Sequence, residues 1–270
     1  MKSRVSLFPY LIWMILFIII PLGLVAYFAF TTSNGEFTIE NVEQVAEYTT
    51  VFIRSIFFAV IATLLCLLIG YPLAYIISRK TDASQRMMLM LIMLPMWMNF
   101  LLRTYAWMTI LEGSGIINTL LKAMGFQPLN LINTAGAVIL GMVYNYLPFM
   151  VLPLYSIMTK IENTTIEAAQ DLGASNLNVF LKILFPLSLP GIVTGIVMVF
   201  VPAVSTFIIS KMLGGGTNMM IGDLIEMQFL GNAYNPNLGS AISFVLMIII
   251  LICMAVFNKM DDEEKEGMII

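Results

Sequence analysis

The chain has 270 residues, 60% of them hydrophobic and 11% charged, with a net charge of -3 and a mean hydropathy of +0.93. Soluble domains run at roughly 45–50% apolar and about 25% charged residues, so a water-soluble globular domain is excluded and an integral membrane protein is expected. There is no His, and the two cysteines, Cys66 and Cys253, lie far apart in apolar runs. Neither a disulfide framework nor a metal site has the ligands it needs, and both thiols read as packing residues.

Crossing hydrocarbon takes about 20 apolar residues at about 1.5 Å each. The first such run, Phe8–Phe30, follows Lys2 and Arg4 in the manner of a signal peptide. It is long and has no clear small-x-small cleavage site, so it reads as a retained span. Next comes a loop in which Glu36, Glu40, Glu43 and Glu47 recur at spacings of four, three and four. As a helix these would form one acidic stripe opposite Ile39, Val42 and Ala46, a solvated face able to raise the local cation concentration.

Five more runs follow, at Phe52–Ser78, Met87–Leu111, Thr134–Met158, Leu187–Met212 and Leu238–Phe257, for six transmembrane helices in all. Pro72, Pro95, Pro148, Pro153 and Pro202 fall inside them. Each removes a backbone hydrogen bond, which yields either packing kinks or spans that move around a central path. Gly191-x-x-x-Gly195, with Thr194, is a small-xxx-small pattern for close helix approach.

Basic residues orient the chain. Lys2, Arg4, Arg79, Lys80, Arg86, Lys160, Lys182, Lys259 and Lys265 fall on one side, and only Arg54, Arg103, Lys122 and Lys211 on the other or at its span ends. Both termini are therefore expected in the cytoplasm. Three regions result: residues 1–50 with the first span and the acidic loop, residues 51–258 with the remaining spans, and a tail at 259–270 carrying the acidic run Asp261–Glu266.

A polar segment on the cytoplasmic side interrupts the apolar runs. Ile161 to Leu172 reads as a short helix with Asn163 or Thr164 as N-cap and Gly173 ending it. Ser175 would cap a second helix, Asn176 to Phe185, stopped by Pro186. Small Ala168 and Ala169 allow another surface to approach, and Glu167 and Asp171 stand one turn apart.

The order Glu167-Ala168-Ala169, Gly173, Ile183, Phe185-Pro186 resembles the EAA signature of ABC importer permeases, with Phe185 where that signature has Leu. The resemblance implies a type I (MetI-like) permease fold over residues 51–258, with the loop at about 160–187 forming a coupling helix. Glu167, Ala168, Ala169, Asp171, Gly173, Ala174 and Ser175 would dock on an ATPase subunit. Further blocks are Leu102-Arg103-Thr104-Tyr105-Ala106-Trp107, Gly115-Ile116-Ile117-Asn118, Leu213-Gly214-Gly215-Gly216, Met220-Ile221-Gly222 and Gln228-Phe229. They resemble PotB-type permeases of spermidine/putrescine importers. That likeness implies a bacterial plasma membrane assembly with a second homologous permease, two copies of an ATPase and an external polyamine-binding protein. Many permeases of this type carry Glu before the Phe of the fifth span, where this chain has Ser205-Thr206-Phe207.

The residues themselves support that division of labour. Gly214-Gly215-Gly216-Thr217 lacks the lysine and the preceding strand of a phosphate loop, so ATP falls to a partner. With no His and no nucleophile elbow, the chain is not expected to be an enzyme, and no cofactor or nucleic acid is implied. A polycation losing its hydration needs carboxylates, carbonyls or aromatic faces in exchange. Trp97, Tyr105, Trp107, Tyr144 and Tyr146 are candidate path aromatics, although Trp and Tyr also anchor span ends. Asp223 and Glu226 would share one face of a short helix whose apolar side is Ile221, Leu224 and Ile225, with Lys211 available to pair with Glu226. Arg54 and Arg103, at or within spans, favour instead an importer of another solute, such as an organic anion. A stand-alone channel or secondary transporter would need no docking loop.

Overall fold

Inside hydrocarbon every backbone N–H and C=O must be satisfied within the chain, and the computed structural model meets that demand with helices. It describes residues 2–231 and 233–267, with side chains at 8–231, 233–257 and 259. The side chains of Lys2, Arg4 and the acidic run Asp261–Glu266 lie outside that description.

In chain order, α1 (Phe8–Ala29) and α2 (Thr49–Ser78) come first. A bent pair follows, α3 (Asp82–Trp97) and α4 (Phe100–Leu111), and then the short α5 (Ile116–Ala123). After α6 (Ala135–Met158) the chain turns through α7 (Asn163–Asp171) into α8 (Asn176–Ser205). Two short helices, α9 (Ile208–Leu213) and α10 (Ile221–Leu230), precede α11 (Pro236–Gly267). Among the described residues, five helices are long and apolar enough to cross a membrane, and the bent pair makes a sixth span if taken as one.

Helices α2, α6 and α8 pack on one another and hold the centre. Lipid tails are as apolar as leucine, so close backbone approach, rather than escape from water, drives this packing. Ala59, Ala62, Cys66, Gly70 and Ala74 recur at helical spacing on the buried side of α2. A Cβ on Gly70 would stand 3.0 Å from the Met150 side chain of α6. On α8, a Cβ on Gly195 would come within 2.6 Å of Met150 Sδ, and one on Gly191 within 3.1 Å of the Pro153 carbonyl. The Gly191/Gly195 pair thus makes the close contact that its spacing predicts, against α6. Helix α1 packs chiefly along α11 and buries none of its apolar window.

Several expectations need correction. The run Met87–Leu111 is not one straight span: α3 and α4 meet at about 90°. Met98 and Asn99 are extended, and the Asn99 side chain accepts from the amides of Leu101 and Leu102, starting a new helix where an apolar run simply continues. The run ending at Met212 breaks at Ser205, because Thr206 is extended (ψ 143°) before α9 begins. Pro186, expected as a stop, lies within α8. A π-helical turn, Phe180–Leu184, sits just ahead of it. Proline has no N–H for the carbonyl four residues back and its ring pushes that carbonyl away, and the wider turn absorbs both effects. The same device precedes Pro21, where Ile15–Ile19 is π-helical. The acidic stripe is not one helix either: Glu36 lies in a turn bonded to Thr32, and the helix begins only at Glu40. There Val42 and Val45 turn inward while Ile39 and Ala46 stay exposed.

Candidate functional site

The polar segment between α6 and α8 is built around one turn. Gly173 adopts φ +85°, its amide bonds the Gln170 carbonyl at 2.8 Å, and the Ala174 amide reaches back to Ala169 at 3.0 Å. That left-handed close of a helix is what glycine accommodates without strain. Ser175 then caps α8, its Oγ accepting from the Asn178 amide, and Gln170 bonds Asn176 across the turn at 3.1 Å. A separate small core, Ile161, Val179 and Leu184 with Ile166, Ala169, Ala174 and Phe180, seats the segment against Tyr75 of α2.

Exposure sorts the expected docking residues. Glu167, Ala168, Asp171, Gly173 and Ser175 face solvent, whereas Ala169 and Ala174 are half-buried in the small core. Ala169 therefore packs within the segment, with Ala168 open beside it. Leu172, 90% exposed at the tip, was not singled out by sequence, although an apolar residue at the apex of a polar turn is a visible signal. The expected caps Asn163 and Thr164 do not cap. The residue before α7 is Glu162, with no side-chain cap, and Asn163 Oδ1 instead accepts from Arg79 Nη1 at 2.7 Å.

At each of the two breaks in the spans a side chain meets a backbone carbonyl. Arg103 Nη1 donates to the Pro95 carbonyl at 2.6 Å, at the C-terminal end of α3 where a cation is favoured. Its guanidinium lies over the rings of Phe100 and Tyr144, at 5.6 and 6.0 Å. The Tyr146 hydroxyl donates to the Pro202 carbonyl at 3.3 Å, beside the break at Thr206. Trp107 packs edge-on to Tyr144 at 5.3 Å. Three of the candidate path aromatics, Trp107, Tyr144 and Tyr146, are thus gathered around Arg103. Trp97 and Tyr105 are not: they are 73% and 54% exposed on the outer surface of the bent pair.

At the opposite end of α8 from the turn at Gly173, α9 and α10 border a cavity of about 180 Å³ lined by Ser210, Lys211, Asp223 and Glu226 among others. Lys211 Nζ binds both carboxylate oxygens of Glu226, at 2.8 and 2.9 Å. Asp223 is not an exposed partner of Glu226 but is 7% exposed, because α10 turns this face onto α9. Its Oδ2 accepts from the Met220 amide at 2.8 Å, closing the first turn of α10, while Oδ1 is buried without a hydrogen-bond partner. Burial pushes this carboxyl above the ordinary value, against the opposing pull of Ser210 and the Met220 amide. Arg54 donates to the Thr217 carbonyl at 2.8 Å and so ties the glycine-rich loop to α2.

Residues 42–260 match the family of binding-protein-dependent transport system inner membrane components. The chain is 38% identical over 257 residues to the spermidine/putrescine transport system permease protein PotB of Haemophilus influenzae, covering 92% of this chain and 90% of that protein. To PotB of Escherichia coli it is 36% identical over 255 residues, covering 91% and 92%. A bacterial ABC transporter involved in the import of the acidic polysaccharide alginate superposes with a TM-score of 0.76 at 19% identity, covering 97% of this chain and 95% of that one. The MetNI methionine ABC transporter superposes with a TM-score of 0.60 at 16% identity, covering 82% and 98%. The chain belongs to the family of binding-protein-dependent transport system inner membrane components, and is an ABC importer permease of the inner membrane rather than a catalytic subunit.

Proposed function

We propose that this permease imports spermidine or putrescine, taking the substrate from an external polyamine-binding protein and releasing it to the cytoplasm by alternating access. The observation that carries the substrate class is the 38% identity, along 92% of the chain, to a spermidine/putrescine permease. In this reading both termini and the turn at Gly173 face the cytoplasm. Glu167, Ala168, Asp171, Leu172, Gly173 and Ser175 meet one of two ATPase subunits, and Ala169 and Ala174 stiffen the surface from behind. A second homologous permease completes the path. Trp107 and Tyr144 offer aromatic faces to an ammonium group, whereas Tyr146, held on the Pro202 carbonyl, Glu226, paired with Lys211, and Asp223, buried, reach the substrate only as the elements around them move in transport. Trp97 and Tyr105 belong to the path only where the second permease closes over them.

An anion importer is less well supported, because Arg54 and Arg103 each donate to a backbone carbonyl and Arg103 is buried besides. The test is uptake of labelled spermidine into proteoliposomes holding the four-subunit complex, the binding protein and ATP. Uptake competed by putrescine and abolished by a hydrolysis-defective ATPase subunit is expected. Uptake that ignores excess polyamine but yields to an organic anion would reverse the substrate assignment. Uptake independent of the ATPase would revive the stand-alone channel.

A further inference from the structure

Helix α7 carries the docking surface yet makes few contacts with the bundle, resting mainly on the first turn of α8. Two routes lead from it to the spans. One is covalent, through the continuous helix α8. The other runs through the corner where α6 ends and α7 begins, and there one side chain collects the backbone.

Arg79 is the residue directly after α2. Its Nη1 donates to the Ile161 carbonyl at 2.8 Å and to Asn163 Oδ1 at 2.7 Å, and its Nη2 to the Met158 carbonyl at 3.4 Å. Its guanidinium lies 5.3 Å above the Tyr75 ring, which itself packs on the small core that seats α7. A guanidinium is the side chain suited to a fan of acceptors in one plane; a lysine ammonium presents a point charge on a flexible stem. The acceptors at Met158 and Ile161 follow the C-terminal end of α6, where helix carbonyls lack partners and a cation is favoured.

A second tie lies beside the first. Gln85, in the first turn of α3, donates Nε2 to the carbonyls of Ser78 at 3.2 Å and Lys80 at 2.8 Å, while its Oε1 accepts from Tyr155 of α6 at 2.7 Å. The end of α2, the start of α3, the end of α6 and the start of α7 are therefore joined by side chains of α2 and α3.

We infer that Arg79, supported by Gln85 and Tyr155, is the joint through which displacement of the docking turn is passed to α2 and α6. Without it the turn would reach α6 and α2 only through the short link at residues 159–162 and the small core at Tyr75. This rests on the reading of the turn at Gly173 as the ATPase contact, and the experiment separates the two.

Complexes carrying Arg79→Gln, Arg79→Lys or Tyr155→Phe are purified with their ATPase and reconstituted. Substrate uptake and ATP hydrolysis stimulated by loaded binding protein are then measured on the same vesicles. Arg79→Gln is expected to retain stimulated hydrolysis while substrate moved per ATP falls on the order of tenfold, the scale set by one charge-assisted hydrogen bond in a mechanical equilibrium. Arg79→Lys should fall between that and wild type. An unchanged ratio in assembled Arg79→Gln overturns the joint. Should that variant fail to assemble, Tyr155→Phe, which removes only a hydroxyl, decides in its place, and a wild-type ratio there also overturns it. Leu172→Cys serves as the control on the docking reading. Cross-linking to the ATPase is expected with and without Arg79, and its absence in the otherwise wild-type chain defeats the docking reading instead.

Discussion

At Gly173 a single backbone angle decides whether the turn between α7 and α8 closes. With φ +85° and no atom within 4 Å of a built Cβ, the only penalty on a side chain there is conformational, on the order of 1–2 kcal/mol for an ordinary L-residue. Gly173→Asp should therefore insert and purify as wild type but lose uptake and substrate-stimulated ATP hydrolysis. Gly173→Asn, which enters the left-handed region as Asp does but adds no charge to the exposed turn, should retain more of both. Full stimulated hydrolysis in Gly173→Asp would show that the turn geometry is irrelevant to coupling. Asp223 poses an electrostatic question. Its folded-state value is raised above the ordinary 3.8 by burial, so the carboxyl favours the folded state at pH below that value and loses this contribution as pH rises through the raised one. Asp223→Asn keeps an oxygen for the Met220 amide and removes the charge. The melting temperature of the variant in detergent should match wild type under acid conditions and exceed it increasingly as pH is raised towards neutrality. A variant less stable than wild type at neutral pH would mean that the carboxylate is better paired than its buried, unbonded Oδ1 implies.

At the level of elements, what could be read from the sequence was whatever is local. Runs of about 20 apolar residues announce spans because the bilayer sets their length, and α1, α2, α6 and α11 lie where those runs do. The turn between α7 and α8 was readable for the same reason, since Gly173 and Ser175 each act on neighbours within three or four residues. The breaks were hidden because hydropathy is blind to φ and ψ. Pro95, Met98 and Asn99 sit in apolar surroundings, as do Pro202 and Thr206, and what helps hold each break is Arg103, with the Met98 amide, on the Pro95 carbonyl or Tyr146 on that of Pro202. The second of these is 56 residues away in sequence, and no window of local pattern contains it. Pro186 failed as a stop signal because a π-helical turn lets proline remain inside a helix. The burial of Asp223 is of the same kind. Helical spacing correctly places it beside Glu226, but which way that face points is set by the packing of α10 on α11 and α9, which local spacing does not contain.

For the whole molecule, the packing separates a core from an addition. Helices α2, α6 and α8 interlock through Gly70, Gly191 and Gly195, whereas α1 rests along α11 and buries none of its apolar window. Its polar ties are few and lie at one end, where Asn41 bonds the carbonyls of Ala29 and Thr31 and Asn237 those of Phe28 and Thr31. Removing α1 would expose the apolar flank of α11 to lipid tails of similar polarity, so little hydrophobic free energy is lost. The orientation of the remaining spans would still be set by Arg79, Lys80 and Arg86 between α2 and α3. A chain lacking residues 2–38 is therefore expected to insert, to co-purify with its ATPase through the turn at Gly173, and to melt only a few degrees below the full chain. Co-purification and thermal unfolding of the truncated complex in detergent provide the measurement. Loss of the ATPase on truncation, with the remaining helices still inserted, would mean that α1 reaches the docking surface through α11 and that the division between core and addition is wrong.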